Sequence, residues 1–205
     1  MTGAKTHRYN RREFAALLFG AALAGGSPQA AAATDPAEDY VDHIADEVMS
    51  LANSGSKGTA LRGRFASVLN RYINMRNIAN FALGPYQKKL PPGSRNEFYT
   101  LFSNYAAALF VYYVDDFKGS GLDIISTTKQ GNYITIMSAI RQSGGGREQV
   151  RWRLVPAGGS YKISDINIKG VWLTIATKKR FGDVLNRSKG DFEALFAELR
   201  EAETW

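Results

Sequence analysis

Cysteine is absent from the 205-residue sequence, and histidine occurs only twice. The lack of cysteine excludes disulfides, thiol nucleophiles and zinc–thiolate sites. His43 is the one histidine beyond residue 33, and its acid-rich amphipathic segment favours a surface position over a catalytic role. Because the usual transition-metal sites need several cysteine or histidine ligands, the sequence predicts no metal site, no cofactor and no catalytic residue.

Hydrophobic runs long enough to cross a membrane, which takes roughly 20 residues, are also missing. The apolar run Phe14–Ala24 follows four basic residues and precedes the small residues "SPQAAAA" at 27–33. This order is typical of a secretory signal, although a buried N-terminal helix is the alternative. Arg11, Arg12 and Phe14 resemble a twin-arginine signal. We therefore expect a twin-arginine-like signal peptide at 1–33 and a periplasmic domain at 34–205.

The charge of the chain is positive but mild. It has 26 basic and 19 acidic residues, a formal net charge of +7. Residues 1–33 hold four of the basic residues and one of the acidic residues, so the remainder carries +4. This permits attraction to an anionic surface but does not indicate a nucleic-acid binder. The basic clusters at 151–153 and 178–180 are interpreted as solvated faces or as contacts to lipid headgroups.

Residues 35–117 have the periodicity of helices, with apolar residues every three or four positions in segments 35–56, 60–84 and 91–117. The last segment is the clearest. Ser94 and Glu97 match the S-x-x-E pattern, which predicts a capping box at its start. A heavily aromatic face follows, and the alanines at 106–108 beside it are small enough to leave space.

Residues 120–169 instead have the pattern of strands. In "EQVRWRLV", at 148–155, Val150, Trp152 and Leu154 alternate with Arg151 and Arg153. Glycines at 144–146 and 158–159 mark turns, and further candidate strands lie at 121–130, 133–140 and 161–170. Consecutive strands joined by short turns imply an antiparallel meander.

The chain returns to a helical pattern at 171–187 and 190–203. Helices, then a meander, then helices are typical of the α+β class. The sequence therefore predicts a single α+β domain, in which an antiparallel sheet of about four strands packs against several helices.

Patterns of a catalytic site are scarce. The glycines at 144–146 lack the following Lys-Ser/Thr and helix of a phosphate-binding loop. The adjacent Asp115 and Asp116 would point about 100° apart on a helix. Asp165, flanked by strand residues, is the better candidate for a specific role. It is either a hydrogen-bonded structural acid at the edge of the sheet or the carboxylate of an envelope hydrolase.

Aromatic residues are abundant, with 11 phenylalanines and 10 tyrosines. These side chains are able to fill a solid core or to wall an apolar cavity between the helices and the sheet. Burying an acyl chain in such a cavity would contribute about 0.8 kcal/mol per methylene. A lipid would then be held without any catalytic group, but residue patterns leave both alternatives open.

Two segments resemble the MlaC family of periplasmic lipid carriers, also described as toluene-tolerance proteins. In the segment 77–117, the family's aromatic and Leu-Gly positions correspond to Phe81, Leu83, Gly84, Phe98, Phe102, Tyr112 and Tyr113. In the segment 161–181, its strand-to-helix signature corresponds to Asp165, Ile166, Gly170, Val171, Leu173 and Phe181. The resemblance extends over residues 38–202.

The resemblance implies a carrier, and no enzyme, that binds a phospholipid in an apolar cavity. Such a carrier shuttles the lipid between an outer-membrane lipoprotein–porin complex and an inner-membrane ABC transporter, which maintains outer-membrane lipid asymmetry. The candidate lining comes from the aromatic helix and the apolar face of the sheet. It comprises Phe81, Phe102, Tyr105, Leu109, Ile134, Ile136, Trp152, Ile166, Val171 and Trp172.

Departures from the family pattern bear on the ligand. Trp172 stands where the family usually has serine, and Thr177 and Lys178 replace a common Tyr-Arg pair. A bulky side chain near the mouth of a cavity changes its volume, so a hopanoid-associated carrier is an alternative to a phospholipid carrier. An envelope hydrolase and a ligand-free interaction module with a solid core are the remaining alternatives.

Overall fold

The structure is a computed structural model that describes residues 35–142 and 144–204, without the side chains of Asp116 and Glu203. The predicted signal peptide at 1–33 lies outside the described residues. No helix in the described ranges is both long and apolar enough to span a membrane.

The described residues form six α-helices and one five-stranded sheet. The helices are α1 Pro36–Asn53, α2 Gly58–Tyr72, α3 Met75–Leu83, α4 Arg95–Tyr112, α5 Leu173–Arg187 and α6 Phe192–Glu201. The strands are β1 Gly119–Gln130, β2 Tyr133–Gln142, β3 Arg147–Ala157, β4 Ser160–Ile168 and β5 Val171–Trp172. All neighbouring strands are antiparallel in the order β1-β2-β3-β4-β5. The predicted α+β meander is confirmed, with a two-residue fifth strand added.

The first core lies between α1, α2 and one face of the sheet. Alternation along the strands aims Ile136 of β2 and its partner Trp152 of β3 into this core, where both are buried. The indole N–H of Trp152 donates to the hydroxyl of Ser138 (2.9 Å), and that hydroxyl donates to the carbonyl of Val150 (3.1 Å). The one polar atom of this large side chain is therefore satisfied inside the core.

The second core lies between α3, α4, α5 and α6. Its centre is Phe98 of α4, which is fully buried. The ring of Phe98 lies 6.2–6.3 Å, centroid to centroid, from the rings of Phe102, Phe181 and Phe196. These distances are typical of favourable aromatic pairs, so this part of the molecule is densely filled.

Two local predictions were wrong. Ser94 makes no side-chain cap bond, because it ends the 3₁₀ turn Pro92–Ser94 with helical dihedral angles (φ −91°, ψ −3°). A capping serine instead needs an extended backbone. Val171 and Trp172 form a strand rather than the start of a helix, because Lys169 and Gly170 reverse the chain and pair them with β4.

Candidate functional site

An apolar cavity of about 440 Å³ separates the two cores. Its walls come from α2, α3, α4, β4 and the β5–α5 segment, and they include Ile78, Ala106, Leu109, Phe110, Ile166 and Leu173. Its volume lies within the roughly 300–1,000 Å³ of small-molecule sites. The interior is therefore not filled by its own side chains, which favours the open-core alternative over the solid one.

One stripe of α4 forms the helical wall of the cavity. Phe102, Ala106, Leu109 and Phe110 of α4 and its C-cap residue Tyr113 recur at helical spacing and all line it. Ala106 is the smallest member of this stripe. The two alanines that follow it turn away, into the first and second cores respectively, and both are buried. One alanine of the three therefore provides space.

The floor of the cavity joins α2 to the sheet. Ile73, just after α2, forms a parallel bridge with Ile163 of β4, and both side chains line the cavity. The ring of Phe110 stacks between Phe65 (5.7 Å) and Phe117 (5.2 Å). Beyond it a small pocket of about 20 Å³ reaches Trp152 and shares six lining residues with the cavity. The apolar wall thus continues toward the first core.

The mouth of the cavity combines apolar and cationic side chains. Tyr113 and Val171 are each 51% exposed, and Lys169 and Arg180 are also exposed members of the lining. Nε of Arg180 donates to Glu198 at 2.6 Å. An amphipathic ligand placed here would have its apolar part inside and its polar part in water.

Two ionisable groups line the wall beside the mouth. Burial raises the pKa of Tyr105, and the positive charge of Arg180 opposes that shift. Burial lowers the pKa of Arg180, but its hydrogen bond with Glu198 raises it, and the net shift is upward. Tyr105 is therefore neutral and Arg180 is cationic at neutral pH.

Asp165 lies on β4 in the cavity wall and is only 3% exposed. Its Oδ1 accepts from the backbone N–H groups of Ile166 (2.9 Å) and Thr174 (3.0 Å), and its Oδ2 accepts from the Thr174 hydroxyl (2.7 Å). Trp172, the N-cap residue of α5, makes no side-chain cap bond. Asp165 thus caps α5 from the neighbouring strand. This favours a role as a structural acid over a role as the carboxylate of a hydrolase. Among the described residues, no cluster of His, Cys, Asp or Glu is able to hold a metal ion.

Five of the ten candidate lining residues lie on the cavity wall. They are Phe102, Tyr105, Leu109, Ile166 and Val171. Trp152 reaches only the small inner pocket, and Ile134 and Ile136 are buried in the first core with α1 and α2.

Phe81 and Trp172 lie away from the cavity. Met75 and Ile78 are the residues of α3 that line the cavity, whereas Phe81 is 43% exposed, with Nζ of Lys178 4.7 Å from its ring centroid. Successive residues of a strand point to opposite faces. Val171 therefore reaches the cavity, whereas Trp172 stacks on the Arg153 guanidinium at 4.0 Å.

Several wall residues were missed by the sequence interpretation. Ala106, Phe110 and Tyr113 follow Phe102 on one stripe of α4, and continuing that stripe would have found them. The same holds for Leu173, Ala176, Thr177 and Arg180 on α5. The contributions of α2 and α3 had no comparable signal, because they depend on how the helices cross.

A wider groove of about 960 Å³ lies on the sheet near the β1–β2 turn. It is lined largely by polar residues, among them Thr128, Asn132 and Arg153. Despite its larger volume, its lining residues Thr128, Asn132 and Tyr133 are exposed, so an apolar ligand there would stay in contact with water. The cavity between the cores is therefore the better candidate site.

An α+β domain built around an apolar cavity is the class that the fold and this geometry define. The family model described as MlaC protein matches residues 41–201, and the chain belongs to the MlaC family. The family resemblance seen in the sequence is thereby confirmed. No curated protein matches the chain significantly.

One solved structure with the same fold is a phospholipid-binding protein from Ralstonia solanacearum, determined in complex with a phospholipid. The two structures superpose with a TM-score of 0.68, and their sequences are 17% identical. The match covers 83% of this chain and 98% of that chain. At this identity the likeness shows the shared fold.

Proposed function

We propose that this protein is a periplasmic carrier that holds the acyl chains of a phospholipid in the cavity between its two cores. The observation that carries the proposal is the apolar cavity of about 440 Å³, open at a mouth that exposes Tyr113, Lys169 and Arg180. Membership of the MlaC family supports it, as does the phospholipid bound by the related Ralstonia solanacearum protein.

Burial of hydrocarbon would drive the binding of such a ligand. An acyl segment of ten methylenes would contribute about 8 kcal/mol at about 0.8 kcal/mol each. Association costs at least about 4 kcal/mol in lost freedom. The difference is at most about 4 kcal/mol, a Kd near 1 mM, so tighter binding requires that more of the acyl chains is buried. No bond is made or broken, so the proposed carrier is not an enzyme.

The proposal extends to cellular context. A signal at 1–33 would export the chain, and the loaded domain would exchange lipid with an outer-membrane lipoprotein–porin complex and an inner-membrane ABC transporter. Such a cycle would maintain the lipid asymmetry of the outer membrane. Family membership supports this arrangement.

A phospholipid is preferred over a hopanoid for a specific reason. The hopanoid alternative arose from Trp172, whose bulk would reshape a cavity mouth. In the structure its ring stacks on Arg153 outside the cavity lining. The presence of tryptophan instead of serine at position 172 therefore leaves the volume available to an acyl chain unchanged.

The proposal is tested by native mass spectrometry of the protein purified from the periplasm, followed by identification of the released lipid. Leu109→Trp places an indole in the cavity and is expected to reduce lipid occupancy severalfold while the fold stays intact. Thr100→Trp is the matched control, because Thr100 is exposed on the same helix and does not line the cavity.

The expected result is one phospholipid per wild-type or Thr100→Trp molecule, and a mostly empty Leu109→Trp variant with an unchanged circular dichroism spectrum. Absence of lipid from the wild type would contradict the proposal. Equal occupancy in all three proteins would contradict the assignment of the cavity.

A further inference from the structure

The mouth of the cavity carries two cations from different elements. Lys169 belongs to the β4–β5 turn and Arg180 to α5, and both are exposed lining residues. Among the described residues of the lining, Asp165 is the one carboxylate, and it is buried and bonded to Thr174. The Glu198 carboxylate pairs with Arg180, so Lys169, Arg180 and Glu198 together carry a net charge of +1 where the apolar interior meets water.

The backbone fixes the origin of the Lys169 side chain. Lys169 (φ 52°) and Gly170 (φ 84°) are the two central residues of a tight turn whose flanking residues, Ile168 and Val171, pair across β4 and β5. Two consecutive positive φ angles are typical of a type I′ hairpin turn. The short turn holds the ammonium group close to the mouth, whereas a long loop would let it move away.

The Arg180 side chain is fixed by contacts with α6 and α4. Its Nε donates to Glu198 of α6 at 2.6 Å, and its guanidinium carbon lies 5.7 Å from the ring centroid of Tyr105. It shares the cavity-facing stripe of α5 with Leu173, Ala176 and Thr177. This anchoring keeps a planar cation, which suits phosphate oxygens, beside the apolar wall.

We propose, on the basis of the carrier function above, that Lys169 and Arg180 form a subsite for the phosphate of the lipid headgroup. This subsite favours lipids of net negative charge over zwitterionic lipids. When acyl chains fill the cavity, the headgroup lies at the mouth, where both cations attract the phosphate. They also repel the ammonium group of a zwitterionic headgroup, so the preference has two sources.

The test loads purified, delipidated protein from vesicles that contain equal amounts of phosphatidylglycerol and phosphatidylethanolamine with identical acyl chains. Native mass spectrometry then gives the ratio of the two bound lipids. Lys169→Asn removes the charge but keeps the turn, because asparagine tolerates positive φ well. Arg180→Gln removes the second charge.

Lys189→Asn is a closely matched control. Lys189 has nearly the same backbone angle (φ 55°) and is also followed by a glycine, but it lies beyond the far end of α5 and does not line the cavity. It undergoes the same change of residue, charge and backbone preference. Unlike Lys169, it lies in the turn that ends a helix, away from the mouth.

We expect the wild type and Lys189→Asn to be enriched in phosphatidylglycerol. Lys169→Asn and Arg180→Gln should each lower that enrichment by about two- to fivefold, the size expected for a partly exposed ion pair. An unbiased wild-type ratio, or an equal loss in Lys189→Asn, would overturn the subsite while leaving the carrier function intact. Failure of every protein to take up either lipid would instead contradict the carrier function.

A second arm separates a lipid headgroup from a free phosphate ester. Glycerol phosphate has the headgroup chemistry without acyl chains, and we expect it not to raise the melting temperature of the delipidated protein. A rise that Lys169→Asn abolishes would assign the cations to a small soluble phosphate, and would overturn the lipid assignment.

Discussion

The two halves of α4 are both apolar, but different side chains pack against them. The first half presents Phe98 and Phe102 to Phe181 of α5 and Phe196 of α6, and the rings fill the space. The second half presents Ala106, Leu109 and Phe110 to β4 and the first two turns of α5, and a cavity remains. The same helix thus contributes to a dense core at one end and to a cavity wall at the other.

The difference follows from side-chain size on the facing element. Opposite the dense half, α5 supplies Phe181, which is 1% exposed. Opposite the open half, it supplies Leu173 and Ala176. Protein interiors tolerate few voids larger than a water molecule. A space of about 440 Å³ at one end of an otherwise dense helix is therefore a built feature of the fold.

Removing a ring from the dense half should have the largest effect. Phe98→Ala deletes a fully buried side chain whose ring pairs with four others, and should lower the free energy of unfolding by about 3–5 kcal/mol. Urea denaturation measures this. A loss below about 1 kcal/mol would show that this half is also loosely packed, and the comparison would fail.

Weakening the hydrogen bonds that fix α5 beside the cavity should have the next largest effect on stability. Asp165→Asn replaces a buried acceptor of three hydrogen bonds with an amide, and should lower the free energy of unfolding by about 2–3 kcal/mol. Bound lipid should also decrease, because Asp165 fixes α5 against β4 at the wall. Both are measurable by denaturation and native mass spectrometry.

Asp191→Asn is the control for that substitution. Asp191 caps α6 through the backbone N–H of Glu193 (2.9 Å), and it is exposed. Asparagine is as good an N-cap as aspartate, so this change should be nearly neutral. Equal effects of the two substitutions would contradict the tethering role of Asp165.

A pair of alanines compares the two packing densities directly. Ala108→Leu enters the second core, where the alanine is 2% exposed, and overpacking should cost about 1–3 kcal/mol. Ala106→Leu enters the cavity, so it should leave stability unchanged or raise it while reducing lipid occupancy. Thermal unfolding and native mass spectrometry check both. A larger loss of stability in Ala106→Leu than in Ala108→Leu would contradict the difference in packing density.

Tyrosine ionisation should show the smallest effect. Burial raises the pKa of Tyr40 to about 12 and raises that of Tyr105 above its ordinary value of 10. Unfolded tyrosines lose their protons near pH 10, so the stability from these groups is present below pH 10 and declines as the pH rises toward 12.

Lipid loading should raise the pKa of Tyr105 further, because acyl chains displace water from the cavity wall. Tyr40, which does not line the cavity, should be unaffected. Alkaline difference absorbance with Tyr105→Phe and Tyr40→Phe assigns the two transitions. Equal shifts on loading would argue against lipid at this wall.

Periodicity was enough to predict most of the fold. The alternation of Val150, Trp152 and Leu154 predicts β3, and the structure places all three in the first core. The exceptions depend on short-range geometry. Ser94 is the last residue of the 3₁₀ turn Pro92–Ser94, so its pattern did not produce a cap. The Lys169–Gly170 turn converted the predicted start of a helix into β5.

The cavity was harder to predict, because its lining depends on crossing angles. Ile136 and Ile166 are similar strand residues that are both buried in the first core, but of the two only Ile166 also lies on the cavity wall. Likewise, three consecutive alanines on α4 have one helical pattern and three different environments. A residue pattern predicts which side is apolar, but the facing element decides whether that side is filled.

The most direct test is a crystal structure of the protein loaded with a phospholipid whose acyl chains carry bromine. Anomalous scattering then locates the chains independently of the protein. We predict bromine positions within about 4–4.5 Å of Ala106, Leu109 and Ile166, between the two cores. Bromine in the groove beside Tyr133 and Arg153, with the cavity empty, would contradict the account.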